Sequence, residues 1–465
     1  MLEVETYFPG IVLKKGGIEV TEKREQWGSR VGFILAAAGS AVGLGNIWRF
    51  PYITGKYGGA VFVLFYLIIV AVIGMSLMLA EFAIGRGARK DAVGSMKLLG
   101  GNAWSVAGWL GFLSAFVILS YYSVIMGWAF AYMLKSLTGL MAAAVSGEAS
   151  GAFFSAFVSD APQTLGYHTL MIVMMFVVIY MGVTQGIEKF CKVLMPALFV
   201  LLLMLIVRSL TLPGAGAGVA FYMQPKIANL TREGMLAAVG QAFFSLSLAM
   251  GAMITYGSYV SKDESLPSAT VSVVFIDTLI AILAGFVIFP GAFAFGIEPG
   301  AGVGLTFITL PVVFSRMPLG ALFSFAFFLL LFIAAFTSGI SLLEVSSAYA
   351  IDNLHYPRKK AVALMSALIF LLGIPSALSV GGHIGQIAGK DFLDAADYLT
   401  NNVMMPIGAI LITLFVGWVW TDGAKAEVTN DGKLAFPLYT MWLWTCRVIA
   451  PVAVAVIFIT GLKWG

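Results

Sequence analysis

The sequence predicts an all-α polytopic membrane protein, and three observations carry that prediction. Of its 465 residues, 60% are hydrophobic and only 11% are charged, whereas a soluble globular chain is about 25% charged. Soluble domains must cover themselves with polar surface, so lipid is the solvent that this composition fits. Apolar runs of the roughly 20 residues that a spanning helix needs recur along the chain, with no long polar domain between them. Two of these runs carry small and polar residues where the middle of the membrane would fall.

The first 29 residues are polar, contain Pro9 and Gly10, and lack a signal peptide's apolar core. They read as a cytoplasmic tail. Hydropathy then gives eleven spans, at roughly 30–52, 60–84, 104–138, 167–184, 190–212, 235–259, 269–296, 319–351, 361–379, 396–420 and 437–461. The connection 139–166, with Gly147, Gly151, Asp160 and Pro162, predicts a loop holding a short helix or two. The organisation that follows is a tail (1–29), a five-span block (30–212), an extracellular connection (213–234), a second five-span block (235–420), and a loop with an eleventh helix (421–465). Basic residues of membrane proteins collect on the cytoplasmic side. With the N-terminus inside, that side gathers Lys14, Lys15, Lys23, Arg24 and Arg30, then Arg86, Arg89, Lys90 and Lys97, then Lys189, Lys192, Lys262, Arg358, Lys359, Lys360, Lys425 and Lys433. An odd number of spans places the C-terminus outside the cytoplasm, in a protein of the inner (plasma) membrane.

Span 1 contains Gly39-Ser40-Ala41-Val42-Gly43-Leu44-Gly45-Asn46, and span 6 contains Ser245-Leu246-Ser247-Leu248-Ala249-Met250-Gly251. They open the two five-span blocks. Interrupted helices at corresponding positions of two halves point to a transporter's binding site. Small residues also permit close helix packing, and for span 6 alone the two readings weigh equally. In span 1, three glycines, a Ser and an Asn within eight residues argue against an intact helix.

Other function classes find little support. No basic tract suggests nucleic acid. Cys191 and Cys446 fall in separate apolar segments, which suggests neither a disulfide framework nor a metal site. His168, His355 and His383 have no metal-ligand spacing and no catalytic setting. A channel would need rings of like residues. Any enzymatic reading lacks a motif.

The stretch Arg24-Glu25-Gln26-Trp27-Gly28-Ser29-Arg30 leads into Gly39 to Asn46 and on through Ile47-Trp48-Arg49-Phe50-Pro51. This closely resembles the neurotransmitter:sodium symporter family, whose bacterial members include amino-acid transporters of the LeuT fold. The likeness continues at Glu81-Phe82-Ala83-Ile84-Gly85-Arg86, Tyr121-Tyr122, Gln241-Ala242-Phe243-Phe244-Ser245, Ala334-Ala335-Phe336-Thr337-Ser338 and Asp394-Ala395-Ala396-Asp397. It implies two inverted five-helix repeats, spans 1–5 and 6–10, plus one extra helix, with spans 1 and 6 unwound at mid-membrane. The implied activity is sodium-coupled import of a hydrophobic amino acid by alternating access. A non-transporting amino-acid sensor of the same fold is the rival, although no gate or sodium residue is lost and no signalling domain is gained. The implied partners are the amino acid, sodium and the lipid bilayer, with no obligate protein partner.

The resemblance also assigns sites. Two sodium ions are expected. One takes the Ala41 carbonyl, Asn46, Ser245 and Asp277, where many relatives have Asn in place of Asp277. The other takes carbonyls of Gly39, Val42 and Ala334 with hydroxyls of Thr337 and Ser338. On its own such a Thr-Ser pair back-bonds to its own helix; span 1 supplies the other half of the site. For the amino acid, N–H groups of Leu44 and Gly45 begin a half-helix whose positive end suits a carboxylate, and the Tyr122 hydroxyl can add a donor. Carbonyls of Ala41, Phe244 and Ser245, with the Ser247 hydroxyl, suit the ammonium. Ile118, Tyr122, Phe244, Met250, Ser338 and Leu342 are expected around the side chain.

Arg49 and Asp397 fit an outer gate over Phe244. Arg24 and Asp352 fit an inner gate flanked by Trp27, Ser258 and Tyr259. Gly186 and Pro196 bracket the start of span 5 with the spacing that family members use to unwind that helix, although a simple Pro kink accounts for them nearly as well. In eukaryotic relatives chloride binds near the first sodium. The matching positions here are Tyr66, Gln241, Ser245, Asp277 and Ala281. Ala281 lacks the hydroxyl and Asp277 brings a fixed negative charge, so chloride is not expected.

Overall fold

The computed structural model describes residues 24–296, 304–387 and 389–461, together with a backbone hairpin that pairs Val12–Lys14 with Gly17–Glu19. The rest of the expected tail lies outside the described residues. Apart from that hairpin and an isolated bridge between Ile387 and Lys390, the described elements are helices.

Nine continuous helices among the described residues are long and apolar enough to cross a membrane. Span 1 is a bent pair, Arg30–Ala41 and Gly45–Lys56, with 52° between the halves. Its start is capped by Ser29, whose side chain accepts the Gly32 N–H. Its second half opens with a π-helical turn, Gly45–Arg49. Span 6 is also in two pieces, Arg232–Ser245 and Ala252–Gly257, and completes the eleven. Proline plays no part in that break. Ser247, Ala249 and Gly251 take left-handed backbone, with φ of 51°, 59° and 75°, and the Glu81 carboxylate of span 2 accepts the buried Ala249 N–H at 2.6 Å. The fold is two inverted five-helix repeats with an eleventh helix alongside.

Span 8, Gly320–Asp352, is the most deeply buried of the continuous spans and packs along span 3, Ser105–Thr138. Its Thr337, Ser346 and Ser347 hydroxyls donate to carbonyls of their own helix, which is how polar side chains are tolerated there.

Several boundaries differ from hydropathy. Span 4 runs Ala161–Tyr180, starting earlier than expected because Asp160 caps it by accepting the Gln163 N–H, while the polar first turns hide it from an apolar window. Span 5 begins at Val183 with a π-helical turn, Val183–Glu188, and continues as Lys189–Leu210. The whole stretch from Gly186 to Pro196 is thus helical here, and the unwinding expected there is not a feature of this conformation. The 213–234 connection holds a helix, Ala215–Met223. The 139–166 connection holds two, Leu140–Ala143 and Gly147–Val158.

Candidate ion and substrate site

The two helix breaks meet at the centre of the bundle. Asn46 Nδ2 lies 3.0 Å from Ser245 Oγ, 3.1 Å from the Asp277 carbonyl and 2.8 Å from Asp277 Oδ1. Ser245 Oγ donates to Asp277 Oδ2 at 3.0 Å. Three oxygens thus surround one nitrogen, in a fully buried setting. Turning the carboxamide over would present its Oδ1 to the same spot, making an all-oxygen set with one full negative charge. In the present orientation Oδ1 accepts the Gly43 N–H at 3.0 Å, which ties the group to the span 1 break. Ala41 is the last residue of the inner half-helix, where carbonyls lose their intrahelical partners.

The second cluster centres on Ser338. Its Oγ lies 3.4, 3.1 and 3.2 Å from the carbonyl oxygens of Gly39, Val42 and Ala334, and 3.0 Å from that of Ser40. Span 1 and span 8 build this cage jointly. Thr337 instead bonds the Ile333 and Ala334 carbonyls of its own helix, at 3.1 Å each, and shares the cage only through Ala334.

Between the cages is a pocket lined by Ala41, Leu44, Gly45, Ile118, Tyr122, Phe244, Ser247, Met250, Ser338 and Leu342. Of the residues expected around the amino acid, only Ser245 is absent from the lining; its hydroxyl is turned to Asp277. Ser40 and Gly43 line the pocket and were not expected there. A side chain at Gly43 would come within 2.8 Å of the Tyr122 hydroxyl, so only glycine admits this approach. The Leu44 N–H donates to the Tyr122 hydroxyl at 3.3 Å. That donor is therefore already used in this conformation, and a carboxylate entering there would take it over from Tyr122. The open volume is about 20 Å³, room for little more than one water. An amino acid therefore requires Phe244, Met250 or Leu342 to move.

Above Phe244 and Tyr122 opens a vestibule of about 330 Å³. Arg49 and Asp397 both line it. The Arg49 guanidinium lies 4.8 Å over the Phe244 ring, while Asp397 Oδ1 accepts from the Tyr121 hydroxyl at 3.0 Å and from Asn401 Nδ2 at 2.7 Å. Arg49 and Asp397 are not among the ion pairs of the described residues.

The opposite end is latched. Arg24 Nη1 meets Asp352 Oδ2 at 2.5 Å, and Arg24 also donates to Ser258 Oγ at 2.7 and 3.1 Å. Its guanidinium lies 4.8 Å over Tyr259. Trp27 Nε1 donates to the Tyr256 carbonyl at 3.0 Å. Sequence reasoning missed the depth of this network. Asp91 donates its N–H to Asp352 at 2.6 Å. Glu344 accepts from the Tyr259 hydroxyl and from Arg358, both at 2.6 Å. Glu188 accepts from the Gly28 N–H at 2.6 Å and from Ser29 Oγ at 2.8 Å, fastening residues 24–29 to span 5. Glu344 carried a usable signal, since it is an acid inside a span whose only other charged residue is Asp352 at its end. Asp91 and Glu188 sit in polar turns and carried none.

Comparison with known proteins bears on this geometry. The family model described as "Sodium:neurotransmitter symporter family" matches residues 24–149 and 163–464. An uncharacterized sodium-dependent transporter of Bacillus subtilis, YhdH, is 38% identical over 441 residues, covering 94% of this chain and 98% of its own length. An uncharacterized sodium-dependent transporter of Haemophilus influenzae is 37% identical over 455 residues, covering 95% and 99%. Among solved structures, the crystal structure of MhsT in complex with L-phenylalanine superposes with a TM-score of 0.86 at 46% identity, covering 95% of this chain and all of that one.

Proposed function

The chain belongs to the sodium:neurotransmitter symporter family and has the LeuT fold; from that premise we propose that it imports a hydrophobic α-amino acid together with two sodium ions, by alternating access. The observation that carries this reading is an uncharged, mostly apolar pocket wedged between two oxygen cages, with span 1 contributing to all three. MhsT, bound to L-phenylalanine, supports the substrate class. The half-helix from Gly45 suits the substrate carboxylate, and the Ser247 hydroxyl and nearby carbonyls suit its ammonium. The N-terminus lies in the cytoplasm and the C-terminus outside it, in the plasma membrane, so that Arg24 and Asp352 close the inner side and Arg49 and Asp397 the outer.

Proteoliposomes with an inward sodium gradient test this. Uptake of phenylalanine, leucine or tryptophan should require sodium, and lysine, aspartate and decarboxylated monoamines should neither compete nor enter. Efficient transport of any of those three classes contradicts the reading. Replacing chloride by gluconate at constant sodium should leave initial uptake within tenfold, because Ala281 has no hydroxyl and Asp277 supplies the negative charge. A larger fall, more than about 1.4 kcal/mol, overturns that expectation.

The latched inner end should respond to pH. Burial, and then the nearby Asp352 carboxylate, push Asp91 up to about 6. The latched form therefore holds a proton on Asp91 through a range in which a hydrated carboxyl has lost it. Its advantage over an inner-open form is largest below the ordinary carboxylate range, declines as pH rises toward about 6, and is constant above. Fluorescence of a probe near Ser258 should report more inner opening at pH 7.5 than at pH 5, and Asp91→Asn should flatten the response. An unchanged profile in Asp91→Asn would assign the titration elsewhere.

A further inference from the structure

Span 10, Phe392–Val419, ends and span 11, Tyr439–Thr460, begins at the same end of the bundle as Arg24 and Asp352. Arg86, near the close of span 2, bonds Glu427 just beyond span 10 at 2.8 Å, while Asp91, five residues on, bonds Asp352. Spans 10 and 11 meet there through two π-helical turns, Phe415–Val419 and Thr445–Ile449. A π turn takes carbonyls out of the regular ladder and often marks a functional site. Arg447 uses one such carbonyl, donating Nε to Gly417 O at 2.7 Å. Gly417 admits it, since a Cβ there would lie 2.9 Å from the Arg447 side chain.

The guanidinium lies 5.1 Å from the Trp418 ring and 5.7 Å from the Trp444 ring. Those two residues are 60% and 52% exposed, on the bundle's outer surface. Trp418 donates its own indole N–H to the Arg447 carbonyl at 3.3 Å, fixing the ring. The two terminal nitrogens of Arg447 and the Trp444 indole N–H have no acceptor among the described residues. Arg447 joins none of the described ion pairs. The exposed Asp422, like Arg447, lies near Tyr439 but does not pair with it.

The chemistry of this arrangement is specific. A guanidinium whose Nε is committed to backbone keeps one planar edge open, and that edge matches two oxygens of a phosphate. Trp rings collect at the depth of lipid headgroups, and the polar helix Thr421–Val428 that follows Val419 puts this level at the membrane surface. The geometry points to Arg447, Trp418 and Trp444 as a binding site for the phosphate of an anionic phospholipid, in the leaflet where span 10 ends. The indoles seat the glycerol and first acyl carbons, and Arg447 holds the headgroup. The site lies apart from both oxygen cages and does not depend on which amino acid is carried.

The full-length protein, delipidated in detergent, is titrated with phosphatidylglycerol and separately with phosphatidylcholine, and bound lipid is counted by native mass spectrometry. Wild type should hold at least one phosphatidylglycerol about tenfold more tightly than phosphatidylcholine. Arg447→Gln should lose that preference, and Arg447→Lys should regain part of it. Equal phosphatidylglycerol binding by wild type and Arg447→Gln, with matching thermal midpoints without lipid, overturns the proposal. So does an equal thermal shift from inorganic phosphate, or a change of oligomeric state in Arg447→Gln with no change in lipid count. Should Arg447→Gln fail to fold, a diazirine-bearing phosphatidylglycerol is cross-linked to wild type. Labelling at Trp418 to Trp420 or Trp444 to Val448 supports the site, and labelling only elsewhere refutes it.

Discussion

Asp277→Ala should raise the sodium concentration that half-activates amino-acid binding by at least a hundredfold. Asp277 contributes a carbonyl and both carboxylate oxygens to the cluster around Asn46 and Ser245, and it is fully buried. It joins none of the ion pairs among the described residues. A buried charge whose counter-ion is taken away typically costs about 3–5 kcal/mol, and a hundredfold is roughly 2.7 kcal/mol, so the expected loss lies within reach of one ligand. The sign of the stability change is diagnostic. Without sodium the alanine variant sheds an unpaired buried carboxylate and should be no less stable than wild type. With sodium the wild type should gain stability through binding and the variant should not. Asp277→Asn, which keeps an oxygen and loses the charge, should fall between. A sodium-induced rise in thermal midpoint that is equal in wild type and Asp277→Ala would remove Asp277 from the ion site.

Arg49→Gln and Asp397→Asn should each cut uptake at least tenfold while leaving thermal stability in detergent nearly unchanged. In this conformation the two residues share the vestibule without forming an ion pair, each held by other neighbours: Arg49 by the Phe244 ring and Asp397 by Tyr121 and Asn401. Breaking a pair that is not made costs the fold little, in the range of about 0–1 kcal/mol for hydrated pairs. Transport is different, because a pair that forms only on closure biases the balance between open and occluded forms. Initial uptake rates and melting curves of both variants, with the exchanged pair Arg49→Asp and Asp397→Arg alongside, separate the readings. Variants that unfold would make the pair structural. Variants that melt and transport normally would leave Arg49 as a residue whose long side chain reaches the membrane surface.

The fold was legible because its grammar is coarse. Apolar runs and basic turns mark the spans, and Gly39 to Asn46 marks the first break without ambiguity. The second break was less legible. Ser247 and Ala249 adopt a backbone that neither residue type advertises, and a neighbour from span 2, Glu81, holds it in place. Spans 4 and 5 were mis-bounded for a related reason, since their first turns are polar yet helical and are sustained by Asp160 and by contacts to residues 24–29. The residues that the structure brings together at the centre were legible only through family likeness. Nothing in the spacing of Asn46 and Asp277, 231 positions apart, says that they meet. The network around Asp91, Glu188 and Arg358 depends on loops packing across the two repeats, and local sequence carries no record of that.

If each of the two oxygen cages carries one sodium ion, as proposed, having two rather than one alters what the molecule can accomplish as a machine. Each sodium ion that moves inward across a potential of 100 mV releases about 2.3 kcal/mol, before any concentration difference is counted. One ion per cycle could hold an amino acid at an inside-to-outside ratio of some tens. Two ions release roughly 4.6 kcal/mol on the same arithmetic, and the ratio they sustain is the square of the first, on the order of a few thousand. On the proposed two-ion reading, the Ser338 hydroxyl and the Asn46 amide would be more than ligands. They would set the exponent by which an electrical gradient becomes a chemical one, and with it how scarce a nutrient the cell could still harvest.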